Sequence, residues 1–358
     1  MLSYFYALTD HETYIRRCLQ LALLGAGNVA PNPMVGAVLV NNDTIIGEGY
    51  HEKYGEAHAE VNCFKSVTKL NQHLIKSSTL YVSLEPCSHF GKTPPCTDLI
   101  IKKGIKNVVI SCMDTNEKVN GNGIEKLIKA GIQVVTGVLE RDAMKLNKRF
   151  FTFQGKKRPY ILLKWAQSNN NRIAGKGNNR AYITNGYTNM LVHKWRSEEG
   201  AIMVGTNTIM QDNASLTTRL WPGKNPLRIV IDKHLKLKAS ATILQDDFPV
   251  VILNMTKQEQ IGNKLYFKMG EEENVLLVTL NLLYQRNITS LIVEGGSTLL
   301  QSFIDQGLWD EARIITNITL NIDGGVPSPS LNQAHLMNII NIGSDQVAFF
   351  ENPTSADL

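Results

Sequence analysis

The stretch Leu84–Cys96 reads LEPCSHFGKTPPC. It follows the strand-like run TLYVSL (79–84) and precedes the helical segment CTDLIIKKG (96–104), so it forms the hinge of a strand–loop–helix unit. Cys87 stands at the start of the loop and Cys96 at its end. Three readings compete for these cysteines: a disulfide, a metal site, or two unrelated buried thiols. Pro94 and Pro95 suit the start of a helix and place Cys96 at its N-terminus, where the helix dipole favours a thiolate.

Outward from that unit the pattern is α/β. Strand-like runs VGAVLV (35–40), TLYVSL and NVVISC (107–112) alternate with helical segments AEVNCFKSV (59–67), CTDLIIKKG and IEKLIKAG (124–131). A further helix is predicted after Asp10, and VGAVLVNNDTIIGEG reads as a hairpin turning at Asn41, Asn42 and Asp43, which makes the sheet mixed. The basic stretch NKRFFTFQGKKRP (147–159), interrupted by Gly155 and Pro159, reads as a junction. Two domains follow, 1–147 and 148–358. In the second, YILLKWA, AIMVG, LRIVID, PVVIL, NVLLVTL and SLIVEGG are predicted strands, with NGYTNMLVHKWRSEE and STLLQSFIDQG as helices between them.

A chain of 358 residues with 43% hydrophobic and 19% charged content can bury two cores. No apolar run approaches the roughly 20 residues that span a bilayer, and the start MLSYFYALTDHETYIRR lacks the pattern of an export signal. The net charge of +5 is mild and the lysines are scattered, so composition neither implies nor excludes nucleic acid. Five cysteines, none beyond Cys112, make a poor disulfide framework and fit a reducing compartment, the cytoplasm.

Upstream of the opening stretch, HAEV supplies His58 and Glu60 as H-x-E just before a helical run. His58, Cys87 and Cys96 would give the three protein ligands of a catalytic zinc, with Glu60 moving protons between water and a leaving amine. Zinc deaminases carry H-x-E with P-C-x-x-C, and here the second element is lengthened to eight intervening residues. Each element alone has a plain explanation in chance spacing or buried thiols. Together, with a proline beside each cysteine, they favour zinc over a disulfide. Cys18, Cys63 and Cys112 are expected in the core.

PNPMVGAVLV, GEGYHEKYGEAHAEV and LEPCSHFGKTPPC together resemble the deaminase domain of the bifunctional riboflavin-biosynthesis pyrimidine deaminase/reductase family, and the lengthened loop is that family's own variant. The resemblance implies a cytidine-deaminase-like zinc domain that removes an amino group from a diaminopyrimidinone carrying a phosphoribosylamino substituent. It further implies that Asn32, His51, Lys92, Asp114 and Asn116 line the substrate pocket, with Lys92 near the phosphate. From the residues alone, Lys92 could equally be a solvated loop lysine and DTN a simple turn.

RPYILLKWAQS, HKWRSEEGAIMVGTNTIMQDNASLTTR, NPLRIVID and LIVEGGSTLLQSFIDQGLWDEAR resemble the same family's reductase domain, which is similar to dihydrofolate reductase in fold and uses NADPH to reduce the ribosyl group to a ribityl chain. Carried over, Lys164, Thr184, Arg196, Leu216, Arg219 and Glu294 would contact the substrate. Gln167, Tyr182, Thr208, Asp212, Gly296 and Ser297 would contact NADPH, the last two at a helix start whose backbone N–H groups suit a phosphate. An arginine pair such as Arg196 and Arg219 also suits a phosphate.

Two departures stand out. SNNNRIA (168–174) replaces the family's usual Ser-Leu-Asp-Gly turn, and Arg180, Ala181 and Tyr182 replace Ser-x-Trp. Asn170 and Asn171 can still make a tight turn because asparagine tolerates positive φ. The expected partner is a small phosphoribosylamino-pyrimidine, without nucleic acid or membrane, in a homo-oligomer. A nucleic-acid base deaminase and a non-enzymatic zinc scaffold are the competing readings.

Overall fold

The computed structural model describes residues 10–90, 94–114, 121–176 and 181–355. The chain divides into two compact units, Met1–Lys156 and Lys157–Leu358. In the first, the order is α1 (Asp10–Leu23), β1 (Gly36–Asn41), β2 (Thr44–Tyr50), α2 (Ala59–Ser66), β3 (Thr79–Leu84), α3 (Cys96–Lys103), β4 (Asn107–Cys112), α4 (Asn122–Lys129), β5 (Gln133–Thr136), α5 (Glu140–Leu146) and α6 (Lys148–Lys156). The sheet runs β2-β1-β3-β4-β5. β1 is antiparallel to β2 and β3, whereas β3, β4 and β5 are parallel, so the sheet is mixed as the hairpin predicts. Asn42 and Asp43 both have positive φ (44° and 58°), the signature of a two-residue primed turn that matches strand twist.

Both faces of this sheet are covered, which is why its strands read as near-continuous apolar runs. Ala37, Leu39, Leu80, Val82, Val108 and Ile110 pack with Cys63 and Phe64 of α2, Ile100 of α3 and Leu127 of α4. On the other face Val38, Val40, Tyr81 and Val109 meet Ile15, Cys18 and Leu21 of α1. Helix α2 lies against β2 closely enough that a Cβ on Gly49 would fall 2.2 Å from the Cys63 nitrogen. Only glycine permits that approach, which fixes where the start of α2 sits.

The basic stretch read as a junction differs from expectation. Its residues 148–156 form α6, and the division between units falls after Lys156 instead of after Asn147. The reason is the aromatic content: Phe150 and Phe151 are buried against Leu84, Cys112 and Ala143, so this segment completes the first core.

The second unit comprises β6 (Tyr160–Ser168), β7 (Arg172–Ala174), α7 (Gly186–Glu198), β8 (Ala201–Gly205), α8 (Thr206–Asp212), β9 (Leu227–Ile231), α9 (Thr242–Gln245), β10 (Val250–Asn254), β11 (Glu259–Ile261), β12 (Lys264–Lys268), α10 (Val275–Gln285), β13 (Ser290–Glu294), α11 (Ser297–Asp305), β14 (Glu311–Asn317), β15 (Val326–Pro327), β16 (His335–Ile342) and β17 (Asp345–Glu351). Ten strands form one sheet, β11-β12-β10-β9-β8-β13-β6-β14-β17-β16, parallel from β12 to β14 and antiparallel at both margins. Leu163 and Val293 point to the face covered by α10 and α11, while Leu162 and Ile292 point to the face covered by Val192 and Trp195 of α7.

NVLLVTL is predicted as a strand and is instead the start of α10. Asn274 caps it, its side-chain oxygen accepting from the N–H groups of Leu276 and Leu277 at 3.0 and 3.4 Å. Leu276, Leu280 and Leu283 recur on one helical face and are buried, a period hidden by the apolar residues between them.

Candidate active sites

In the first unit, His58 is the N-cap of α2 and Glu60 lies in that helix's first turn. Cys87 follows β3, and Cys96 is the first residue of α3, with Pro95 as its N-cap. Cys96 Sγ lies 3.3 Å and Cys87 Sγ 3.6 Å from His58 Nδ1, and the three donor atoms fall within 4.8 Å of one another. The start of α3 holds Cys87 in place: Cys96 N–H donates to its sulfur at 3.3 Å, and both the N–H and the hydroxyl of Thr97 donate to its carbonyl at 3.2 Å. The structure describes all five cysteines as free, and Cys18, Cys63 and Cys112 are buried in the core.

The electrostatics suit a cation. The Cys87 thiol is held well below its ordinary value by the hydrogen bond from Cys96 and, against burial, by His58. Cys96 moves the opposite way, raised by the same hydrogen bond and by burial. The two thiols are thus pushed in opposite directions beside the imidazole. Glu60 is 3% exposed, and burial followed by the nearby Cys87 charge raises its pKa.

His51 is buried and its pKa is lowered, chiefly by burial. Its Nδ1 faces the Ala57 carbonyl at 3.1 Å, so it carries the proton there, and its Nε2 accepts from the Asn32 amide at 3.2 Å. The His51 and His58 rings stand edge to face with centroids 5.4 Å apart. The structure therefore brings Asn32 and His51 to the His58 cluster. Asp114 is buried just beyond β4, while Lys92 and Asn116 lie outside the described residues.

Sequence reading missed Glu85. Its carboxylate accepts from the backbone N–H groups of Asp114 (3.2 Å), Gly121 (3.0 Å), Gly123 (2.8 Å) and Ile124 (3.3 Å). It therefore ties the end of β3 to the segment after β4 and to the start of α4. Its place two residues before Cys87 was visible, but its partners are too distant in sequence to be read locally.

In the second unit, Lys164 on β6 and Glu294 on β13 are register neighbours at the carboxyl edge of the parallel strands. Arg196 of α7 makes a two-pronged ion pair with Glu294, Nε to Oε1 at 2.8 Å and Nη2 to Oε2 at 2.7 Å, and Lys164 Nζ lies 3.6 Å from Oε2. Burial works to raise the Glu294 pKa, but Arg196 and Lys164 outweigh it and hold the carboxyl down to about 2. Burial lowers the Lys164 ammonium, against the pull of Glu294. Arg196 is thus engaged with the Glu294 carboxylate and the Thr217 carbonyl. Arg219 is exposed and, among the described residues, makes no ion pair. Leu216 is buried in the core with φ of 58°, so only its backbone is available to a ligand.

Thr208 on α8 packs against the glycine pair: Cβ atoms on Gly295 and Gly296 would come within 3.0 Å of Thr208 Cγ2 and 3.4 Å of its hydroxyl. Both glycines have positive φ (75° and 72°), and Gly296 is the N-cap of α11, which begins at Ser297. Asp212 ends α8. Gln167 is committed to protein partners, accepting from Trp165 Nε1 at 2.9 Å and donating to Asn171 at 3.0 Å and Thr316 at 3.2 Å. Tyr182 is 80% exposed and Thr184 half-buried, whereas Arg180 lies outside the described residues. The altered turn closes with Asn171 N–H on the Ser168 carbonyl at 3.0 Å and Asn171 at φ 57°, so asparagine does supply the left-handed residue, at Asn171 and not at Asn170.

Residues 8–112 match the model of the cytidine and deoxycytidylate deaminase zinc-binding region, and residues 159–319 match that of the RibD C-terminal domain. The fold is a cytidine-deaminase-like domain followed by a reductase domain, which defines a two-domain deaminase/reductase. The riboflavin biosynthesis protein RibD of Aquifex aeolicus is 38% identical over 95% of this chain and 98% of its own, and that of Escherichia coli 34% identical over 84% and 85%. The crystal structure of a diaminohydroxyphosphoribosylaminopyrimidine deaminase/5-amino-6-(5-phosphoribosylamino)uracil reductase from Thermotoga maritima, 34% identical, superposes with a TM-score of 0.87 over 96% of this chain and 99% of that one. Acinetobacter baumannii RibD, 29% identical, gives 0.86 over 96% and 98%. The chain belongs to the RibD family of bifunctional deaminase/reductases of riboflavin biosynthesis. Among the described residues no helix is long and apolar enough to cross a membrane.

Proposed function

We propose that the first unit hydrolyses the exocyclic amine of a diaminopyrimidinone bearing a phosphoribosylamino group, and that the second reduces the ribosyl group of the product with NADPH. The observation that carries the first step is the three-donor cluster of His58, Cys87 and Cys96 beside a buried Glu60. Three donors, two at helix starts and Cys87 just after β3, fit zinc in a catalytic role, since a structural site uses four. Zinc, when bound, supplies Lewis-acid activation of the hydrolytic water.

Glu60 manages the protons. Its raised pKa keeps it able both to take a proton from the attacking water and to return it to the departing amine, which leaves as ammonia while the ring carbon gains a carbonyl oxygen. Asn32, the neutral His51 and Asp114 orient the pyrimidine, and the family resemblance adds Lys92 and Asn116 as substrate contacts. In the second unit NADPH, when bound, supplies the hydride, with Thr208, Asp212, Gly296 and Ser297 against it. Lys164, whose ammonium burial makes more acidic, would supply the proton that the sugar oxygen takes up during that reduction. Glu294, itself gripped by Arg196, holds Lys164, and Arg219 meets the phosphate.

Removing zinc tests the division of labour. Dialysis against a chelator is expected to abolish ammonia release from the diaminopyrimidinone while leaving NADPH oxidation with the deaminated compound intact, and zinc should restore the first activity. Ammonia release that survives in protein shown to be metal-free would refute the role given to the cluster.

A further inference from the structure

The segment Ser215–Arg219 carries a strained residue, yet its backbone is tied down at nearly every step. Leu216 sits at φ 58°, a region costly for a branched side chain. Around it, Arg228 donates to the Ser215 carbonyl at 3.1 Å, Arg196 to the Thr217 carbonyl at 3.4 Å, and Thr218 N–H donates to Asn225 Oδ1 at 2.7 Å. The last bond comes from Arg219 N–H, which donates to His193 Nδ1 at 2.9 Å. Strain that persists under so many restraints is the mark of a backbone shaped for use.

His193 is 2% exposed on α7, one turn before Arg196, and the charged groups around it are Arg196, Arg219, Glu294 and Lys164. To accept from Arg219, Nδ1 must be unprotonated. Burial, then Arg196 and Arg219, lower the imidazole pKa to about 4, so the ring is the neutral acceptor this bond requires. Arg196 is spent on Glu294, which leaves Arg219 as the exposed cation on this loop. Its guanidinium reaches back to the Ser215 hydroxyl, within the same restrained turn.

We propose that His193 is a positioning residue of the reductase unit: by accepting the Arg219 N–H it fixes the Ser215–Arg219 loop so that the Arg219 side chain is preset for a dianionic phosphate on the substrate. The proposal rests on the reductase reading of the second unit. It separates backbone placement, done by His193, from charge, supplied by Arg219.

The test uses the full chain with His193→Leu, which fills the space without an acceptor, and His193→Asn, whose Oδ1 can stand where Nδ1 stood. Inorganic phosphate is titrated calorimetrically, and KM and kcat are measured for the deaminated phosphoribosylaminopyrimidine and for NADPH, with ammonia release as an internal control. In H193L phosphate affinity should fall and KM for the phosphorylated substrate rise about tenfold, the scale of one lost hydrogen bond. The kcat, the KM for NADPH and ammonia release should stay within about twofold, and H193N should recover most of the loss. Unchanged phosphate affinity in H193L, or equal decline of every constant in both variants, would overturn the proposal. Should H193L not fold, H193A with added imidazole takes its place: rescue of phosphate affinity supports the proposal and its absence refutes it. Wild-type protein that binds phosphate but oxidises no NADPH would defeat the reductase reading while leaving the phosphate titration decisive for His193.

Discussion

Replacing Glu60 by glutamine is expected to cut ammonia release by at least about a hundredfold while zinc content stays at the wild-type level. The expectation follows from geometry and burial together. Glu60 lies in the first turn of α2, two residues after the cap His58, but the donor cluster consists of His58, Cys87 and Cys96, so the carboxylate can be lost without losing a ligand. Glutamine keeps the shape and cannot carry a proton between water and amine. Stability should not fall, because burial already disfavours the ionised form of Glu60 and an uncharged amide avoids that cost. Parallel zinc analysis, thermal melting and an ammonia assay check all three statements. Near-normal ammonia release by E60Q would remove Glu60 from the chemistry.

Glu294→Ala should have the largest effect in the second unit. Removing this carboxylate leaves Arg196 and Lys164 buried beside each other without their counter-charge, a defect that costs about 3–5 kcal/mol. Urea unfolding should show that loss, and NADPH oxidation should disappear with it. The pH dependence has a definite sign. The Glu294 carboxyl is held down to about 2, below its ordinary 4.5, so its stabilisation is full above about pH 4.5 and drains away as the pH falls through 2. The wild-type chain should therefore lose stability across that acid window and E294A should lose less. Equal acid profiles for the two chains would show that the pair with Arg196 contributes nothing to folding.

The parts of this fold that were legible in the sequence are those encoded by neighbours. The Asn42–Asp43 turn, the strand ending at Leu84 and the helix beginning at Cys96 each announce themselves within a few residues, and the metal donors sit at the resulting element ends. Where apolar residues fill every position, the local signal fails. Val275–Leu280 has the composition of a strand, and only the Asn274 cap and the burial of Leu276, Leu280 and Leu283 make it a helix. The phenylalanines of α6 were read as linker because their partners Leu84 and Cys112 lie far back in the chain. The same distance hides contacts in both units: Arg196 and Glu294 in the second are 98 residues apart, and the grip of Glu85 on Gly123 in the first spans 38. Family resemblance supplied Arg196 and Glu294 but not Glu85, and it could not say that Arg196 would be committed to Glu294.

The most direct test of a two-step enzyme is a paired assay on zinc-loaded protein given the diaminopyrimidinone phosphate and NADPH, with ammonia release and NADPH loss followed separately. The account predicts that both proceed and that NADPH loss begins only after ammonia has appeared. Ammonia without any NADPH loss would contradict it, showing that the unit carrying SNNNRIA no longer reduces the product.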